Sequence, residues 1–436
     1  QVKGVTIDSR AVDAGQLFVA IRGQTFDGHD FAAGAVQKGA VGVIAEHPVV
    51  MSADSKSAVI VVNDSIQALG RLAGWYRQQI GAKVIAITGS AGKTTTRQMM
   101  HQVLSGFCRC RQAAKSFNNH IGVPLAILSA EPDDEILLLE LGSNHPGEIS
   151  SLSKMSKPDV AVVTFIGPAH LEGFGTLEKV LEEKAAIAEG LCAGGTLYVN
   201  GDQPELVEKA ETMFNGRIIK FGTDQSCDVI GTDFQLCGKN GSLVIDGNRI
   251  NVPLAGKANL MNILTVWSVC KDFKVRLSDF MQIIGRLTPV SMRLEVDELA
   301  GLTILNDCYN ANPASMANAL ECLKTFGDPE KRRLVFIAGD MYELGDQSRR
   351  LHLELGRKAV DEGIQLILCA GQFAQDIAEG AAGPWPSVPA QVFVNTDQLC
   401  DNLHKYIQAD DIILVKGSRA AGLEKAVQQL RDLFGS

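Results

Sequence analysis

The sequence has no apolar run of roughly 18 residues or more, so its pattern holds no candidate for a membrane-spanning helix. Its first residues, QVKGVTIDSR, lack the hydrophobic core of an export signal, and Gln1 is not a start methionine. A cytoplasmic protein with no membrane span is expected. Paired cysteines are missing too. Of the 10 cysteines the nearest two, Cys108 and Cys110, are one residue apart, which suits neither a zinc knuckle nor a CxxC redox pair. Free thiols in a reducing compartment are expected. Positive charge is also short, with 41 Lys and Arg against 50 Asp and Glu and a net charge of -9. Nucleic-acid surfaces are basic, so no such partner is expected, and any anionic ligand must be held by local devices. No internal repeat or low-complexity tract stands out, and nothing in the pattern demands a partner chain, so a monomer is expected.

What is present is a chain of 436 residues, 46% hydrophobic and 21% charged, too long for one ordinary core. The pattern predicts an α/β protein of three domains. Residues 1–80 alternate short apolar segments (GVTIDSR, QLFVAIRG, VGVIAEH, AVIVVND) with turns, then a segment with helical spacing, and predict a small N-terminal α/β domain. Residues 81–292 carry apolar runs without alternation (KVIAIT, EILLLELG, DVAVVTFIG, GTLYVN), as parallel strands covered on both faces do. The turn signals KNGS and DGNR between Cys227 and Leu254 add an antiparallel flap. Residues 293–436 repeat the strand-then-helix rhythm (LTILND, RRLVFIAGD, IQLILCAG, AQVFVN, DIILVKGS) and predict a doubly wound, Rossmann-like C-terminal domain.

The segment KVIAITGSAGKTTTRQMMHQVL reads as strand, glycine loop and helix, with Lys93 and Thr94 opening the helix. Backbone N–H groups and the positive helix end would surround a polyphosphate there. Lys93 would reach the β and γ phosphates, and the hydroxyl of Thr94 or Thr95 would face Mg²⁺. Ile87 stands where the full Walker A pattern has its first glycine. Two further residues lie at carboxyl ends of strands, where open parallel sheets collect ligands: Glu140 and, just beyond the run DVAVVTFIG, His170. Taken singly, a glutamate at a strand end is most often a surface carboxylate and a loop histidine a hydrogen-bonded one. Lys184, in LEKVLEEKAAIAE, reads by spacing as an ordinary solvated lysine.

Seven segments together resemble the Mur ligases of peptidoglycan synthesis: TGSAGKTTT, FNNHIGVPL, ELGSNHPGEI, IGPAHLEGFG, NDCYNANPASM, GDMYELG and LVKGSRAAGLE. With SRAVDAGQLFVAIRGQTFDGHDF near the N-terminus, the resemblance covers essentially the whole chain. It implies an ATP-dependent ligase, with the N-terminal domain taking a UDP-linked substrate, the central P-loop domain ATP, and the C-terminal domain the incoming amine. NDCYNANPASM favours the branch that joins UDP-N-acetylmuramoyl-tripeptide to D-alanyl-D-alanine. The resemblance implies ATP contacts from Gly89, Ser90, Ala91, Gly92, Lys93, Thr94, Thr95, Asn259, Asn262, Arg293 and Asp307. It implies Mg²⁺, two ions, held by Thr94, Glu140 and His170 with a carbamylated Lys184, and catalysis by Lys93, His170, Lys184 and Arg293. Ser9, Arg10, Asp27 and His29 match the UDP end, while Asn119, Asn310, Asn312, Lys416, Ser418 and Arg419 match other substrate positions. Three positions depart from the family pattern: Phe165 for an asparagine, Ala258 for a histidine and Ala186 for a glutamate.

Rival readings are a sibling ligase adding diaminopimelate or lysine, a folylpolyglutamate synthase relative, and a nucleotide-dependent switch. The DNPR motif of the diaminopimelate-adding branch is absent, and no clear Walker B strand follows the loop to suit a switch.

Overall fold

The computed structural model describes residues 2–50, 57–113, 117–299, 301–327, 332–383 and 387–435. Among these, the strands form three sheets in chain order. The first places Gly4–Thr6, Gln16–Val19, Gly42–Ala45 and Ala58–Val61 side by side, all parallel. Phe18 and Val43 face one apolar cluster while Leu17, Val19 and Ile44 face another, so alternate side chains fill opposite faces. The helix Ser65–Arg77, capped by the Asp64 side chain on Gln67 N, joins this sheet to the second.

The second sheet explains the non-alternating runs. Within it Lys83–Thr88 is flanked in parallel by Ile136–Glu140 and Val160–Val163. Val84, Ala86, Leu137, Leu139, Ala161 and Val163 enter one cluster, and Ile85, Ile87, Ile136, Leu138, Val160 and Val162 the other. Every second residue is thus buried against helices on its own side, each large aliphatic contributing about 1.5–3 kcal/mol. The helices Lys93–Leu104 and Lys257–Asp272 cover one face, through Met99, Met100, Val103, Leu264 and Trp267. The expected flap is present as Val229–Cys237, Asn240–Ile245 and Asn248–Val252, antiparallel at the sheet edge. Its tip reaches the third unit: Gly238 N–H donates to Thr325 O at 3.1 Å, and Lys239 pairs with Glu298 at 2.6 Å.

The third sheet runs Glu295–Leu299, Leu302–Asp307, Ile412–Lys416, Leu334–Gly339, Leu366–Ala370 and Ala390–Phe393, parallel except for its first strand. That antiparallel edge strand was not anticipated. Its sequence, EVDEL, carries three carboxylates and none of its residues is fully buried, so it leaves no apolar signature. No helix among the described residues is long and apolar enough to cross a membrane.

Candidate active site

Strand order places the site. Lys83–Thr88 ends in the loop that opens the helix Lys93–Leu104, and its neighbour ends at Glu140, paired in register with Ile87. The loop's shape depends on two glycines. Gly89 has φ of 145° and Gly92 of 82°, and a Cβ would stand 2.2 Å from Thr164 Oγ1 at the first and 2.6 Å from Asn262 Oδ1 at the second. Only glycine permits both the backbone and the close packing. Ser90 N–H donates to Phe165 O at 2.7 Å and the Thr164 hydroxyl to Ala91 O at 2.6 Å, which pin the loop to the next strand's exit.

Around this loop lies a cavity of about 860 Å³. From the second unit it is lined by Ser90, Ala91, Gly92, Lys93, Thr94, Thr95, Asn118, Asn119, Glu140, His170, Asn259 and Asn262, and from the linker and third unit by Arg293, Asp307, Tyr309, Asn310, Asn312 and Lys416. Glu140, 2% exposed, is the hub: Thr94 Oγ1 donates to its Oε2 at 2.8 Å and Asn118 Nδ2 to its Oε1 at 2.9 Å, and Arg97 Nε lies 3.6 Å from Oε2. Lys93 Nζ donates to Gly89 O at 2.7 Å, and burial pushes its pKa below the ordinary lysine value despite Glu140 nearby.

The third unit supplies the opposite wall. Arg293 Nη2 donates to Thr94 Oγ1 at 3.1 Å, and Asn312 Nδ2 to Ser90 O at 3.3 Å while Asn312 Oδ1 caps the helix Pro313–Lys324. Asp307 and Lys416 end adjacent parallel strands in register, so their side chains meet: Lys416 Nζ donates to Asp307 Oδ2 at 2.6 Å and to Asn310 O at 2.9 Å. Burial raises the Asp307 pKa, opposed by the charge of Lys416. His170, in the left-handed region at φ 53°, has Nδ1 2.5 Å from Glu343 Oε2, though off the hydrogen-bonding direction. The two loops meet again where Glu172 N–H donates to Glu343 O at 3.0 Å.

Lys184 is not a solvated lysine. It is 1% exposed, its Nζ donates to Ser143 Oγ in the cavity wall at 2.7 Å, and it lies 5.6 Å over the Phe174 ring. Burial, and then the charge of Lys93, brings its pKa down to about 7. The helix Leu177–Ala185 turns Lys184 inward together with Val180, and no isolated charged residue announces such burial in the sequence.

Of the other candidates, all but Asn119 stand apart from the cavity. Arg10 pairs with Asp8 at 2.8 Å, and Lys38 Nζ donates to the carbonyl oxygens of Ser9 and Arg10. His29 is buried, with Nδ1 against Asp27 at 2.5 Å and Nε2 accepting from Glu46 N–H at 2.9 Å, while Asp27 also caps the short helix Gly28–Phe31. Both residues are spent on shaping their loop. Ser418 Oγ accepts from Tyr342 N–H, and Arg419 reaches Met292 of the linker. Asn119 Oδ1 accepts from Ile121 N–H and Gly122 N–H. Sequence reasoning missed Arg97, Tyr309, Ser143 and Glu343. Arg97 follows Lys93 by one helical turn, which was the available signal for it. Phe165 and Ala258, two of the departures, line the cavity, and Ala186 is buried next to the Lys184 helix.

Comparison with known proteins gives three consecutive family matches: "Mur ligase family, catalytic domain" at residues 1–77, "Mur ligase middle domain" at 87–270 and "Mur ligase, glutamate ligase domain" at 292–419. The chain is 34% identical to UDP-N-acetylmuramoyl-tripeptide–D-alanyl-D-alanine ligase of Bacillus subtilis, over 98% of this chain and 93% of that one. To the Escherichia coli protein of the same name it is 32% identical, with the same shares. Among solved structures, MurF from Acinetobacter baumannii superposes with a TM-score of 0.88 at 30% identity, covering 99% of this chain and 93% of that one. MurF ligase from Thermotoga maritima in complex with ADP gives 0.86 at 27% identity, covering 99% and 97%. With family models matched across most of its length and relatives above 30% identity over nearly all of it, the chain belongs to the Mur ligase family.

Proposed function

We propose that this chain is an ATP-dependent, ADP-forming ligase that adds D-alanyl-D-alanine to UDP-N-acetylmuramoyl-tripeptide, in cytoplasmic synthesis of a peptidoglycan precursor. The observation that carries the reading is one cavity in which a phosphate loop meets Arg293 and Lys416 from the opposite unit. The relatives named above carry this activity in their names, and one of the solved structures holds ADP.

A carboxylate does not react with an amine at neutral pH, because its carbonyl is electron-rich and oxide is a poor leaving group. Transfer of the γ-phosphoryl group to the peptide carboxylate makes an acyl phosphate, which the dipeptide amine attacks; the tetrahedral intermediate then expels phosphate. Both partners in the first step are anionic. Lys93 and Arg293 bring cationic charge from opposite walls, so positioning and electrostatics carry the step. Asn259 and Asn262 would take the adenine, and Asp307, with Lys416, the ribose and acceptor side. Asn119, Asn310, Asn312, Ser418 and Arg419 would border the peptide and dipeptide. Ser9 and Arg10 would take the UDP end, with Asp27 and His29 holding their loop.

The donor set suits a hard cation. Glu140 is a buried carboxylate beside the Thr94 hydroxyl, and no group of three or more His, Cys, Asp or Glu able to hold a metal occurs among the described residues. Mg²⁺ is commonly held by one or two carboxylates plus substrate phosphates, which is the arrangement this site allows. Thr94, Glu140 and His170 would hold it, supplying positive charge at the phosphoryl oxygens. A pKa near 7 leaves much of Lys184 as the free amine that carbamylation requires, and a carbamate there would supply a further anionic oxygen donor.

Water would hydrolyse the acyl phosphate, so the third unit must cover the site during turnover, hinged near residues 289–295. A radius of gyration unchanged by nucleotide and substrates would remove the hinge. The activity itself is tested by phosphate release and mass spectrometry of the product. Release should require the UDP-tripeptide and D-alanyl-D-alanine together; turnover on ATP alone would favour a nucleotide switch.

A further inference from the structure

Arg293 sits between Met292 and Leu294, whose φ angles of 57° and 51° put non-glycine residues on both sides of it in the left-handed region. L side chains rarely adopt this backbone, and it persists where the surroundings over-determine it. Here they do. Arg293 N–H donates to Val290 O at 3.0 Å, Tyr309 N–H to Met292 O at 3.2 Å and Leu294 N–H to Asp307 Oδ1 at 3.1 Å. The guanidinium carbon then lies 4.2 Å from the centroid of the Tyr309 ring, well inside cation–π range, while Nη2 donates to Thr94. Arg293 Nε is buried and has no hydrogen-bond partner among the described residues. A buried donor left open calls for a ligand that completes it.

We propose that Tyr309 is a positioning residue: its ring is the plate that fixes the plane of the Arg293 guanidinium, aiming it at the terminal phosphoryl group before nucleotide arrives. A free arginine samples many rotamers, and each one lost on binding weakens the contact. A ring stacked on one face removes that freedom in advance. The inference rests on the phosphoryl-transfer reading above.

The test compares Tyr309→Phe, Tyr309→Leu, Tyr309→Met, Arg293→Ala and Arg293→Ala/Tyr309→Leu in full-length protein, with thermal melts alongside. Tyr309→Leu and Tyr309→Met should lower kcat about tenfold, in line with loss of a desolvated cation–π contact, leave the KM for D-alanyl-D-alanine unchanged and weaken ATP relative to ADP. Tyr309→Phe should restore most of the rate. In the Arg293→Ala background, Tyr309→Leu should have no further effect on kcat. Full additivity in that double variant, equal loss with Phe and Leu, or equal weakening of ATP and ADP would overturn the assignment. So would unfolding of both the Leu and Met variants, which would make Tyr309 a structural residue. An inactive wild-type chain would overturn the underlying reaction; an active one with additive losses would overturn the role of Tyr309 alone.

Discussion

The loop of Asp27 and His29 and the loop of Lys93 are both built around polar side chains, yet they differ in where those side chains are satisfied. Asp27 and His29 bond to each other and to backbone within the first unit. Around Lys93, partners come from strands and helices far apart in the chain: Glu140 and Asn118 from one side, Arg293 and Asn312 from the other. Polar groups satisfied locally hold a shape. Groups gathered from several elements and two units, with the Arg293 Nε donor still open among the described residues, are poised for a ligand.

This contrast is most easily broken at Lys93. Lys93→Ala should reduce product formation by on the order of 10³-fold or more with little change in melting temperature; full activity would end the phosphate-loop reading. Arg293→Ala should cost roughly 10²- to 10³-fold in kcat, with the KM for the UDP-tripeptide unchanged, as steady-state kinetics would show. His29→Ala should do the reverse. It removes a donor to Asp27 and the acceptor for Glu46 N–H, so a loss of about 1–3 kcal/mol in stability is expected by denaturant titration, with the KM for the UDP substrate rising more than kcat falls. Lys184 gives the smallest and most specific signal. Its folded pKa of about 7 lies below that of an unfolded lysine, so between the two values the unfolded chain binds the extra proton. Stability from this group therefore rises with pH above about 7, and the burden of a buried ammonium is felt fully below it. In bicarbonate-free buffer Lys184→Met should flatten that rise in melting temperature; an identical pH profile in the variant would show that Lys184 is not buried as a free amine.

The same contrast explains what the sequence discloses. Continuous apolar runs such as KVIAIT and EILLLELG name central strands because both faces are covered, whereas EVDEL, at an exposed edge, carries no such mark. The phosphate loop is legible because its glycines and Lys93 lie within a few residues. Tyr309 and Glu343 are not, because Tyr309 reaches Arg293 only through the pairing of Glu295–Leu299 with Leu302–Asp307, and Glu343 meets His170 only where the third unit docks on the second. Spacing alone leaves Lys184 undecided, since inward rotation of one helical turn is set by packing rather than by its own neighbours.

The apolar cluster that runs from Leu139 and Leu171 through Met316 and Leu344 to Phe336 and Leu414 belongs to the second and third sheets at once. Two units with a common interior share their heat of melting. Scanning calorimetry should find them in a single endotherm, and a nucleotide bound only at the loop should protect amides in Leu334–Gly339 from hydrogen exchange as well. The ligand's grip would thus be felt across the linker as a thermodynamic debt of the far sheet to the near one.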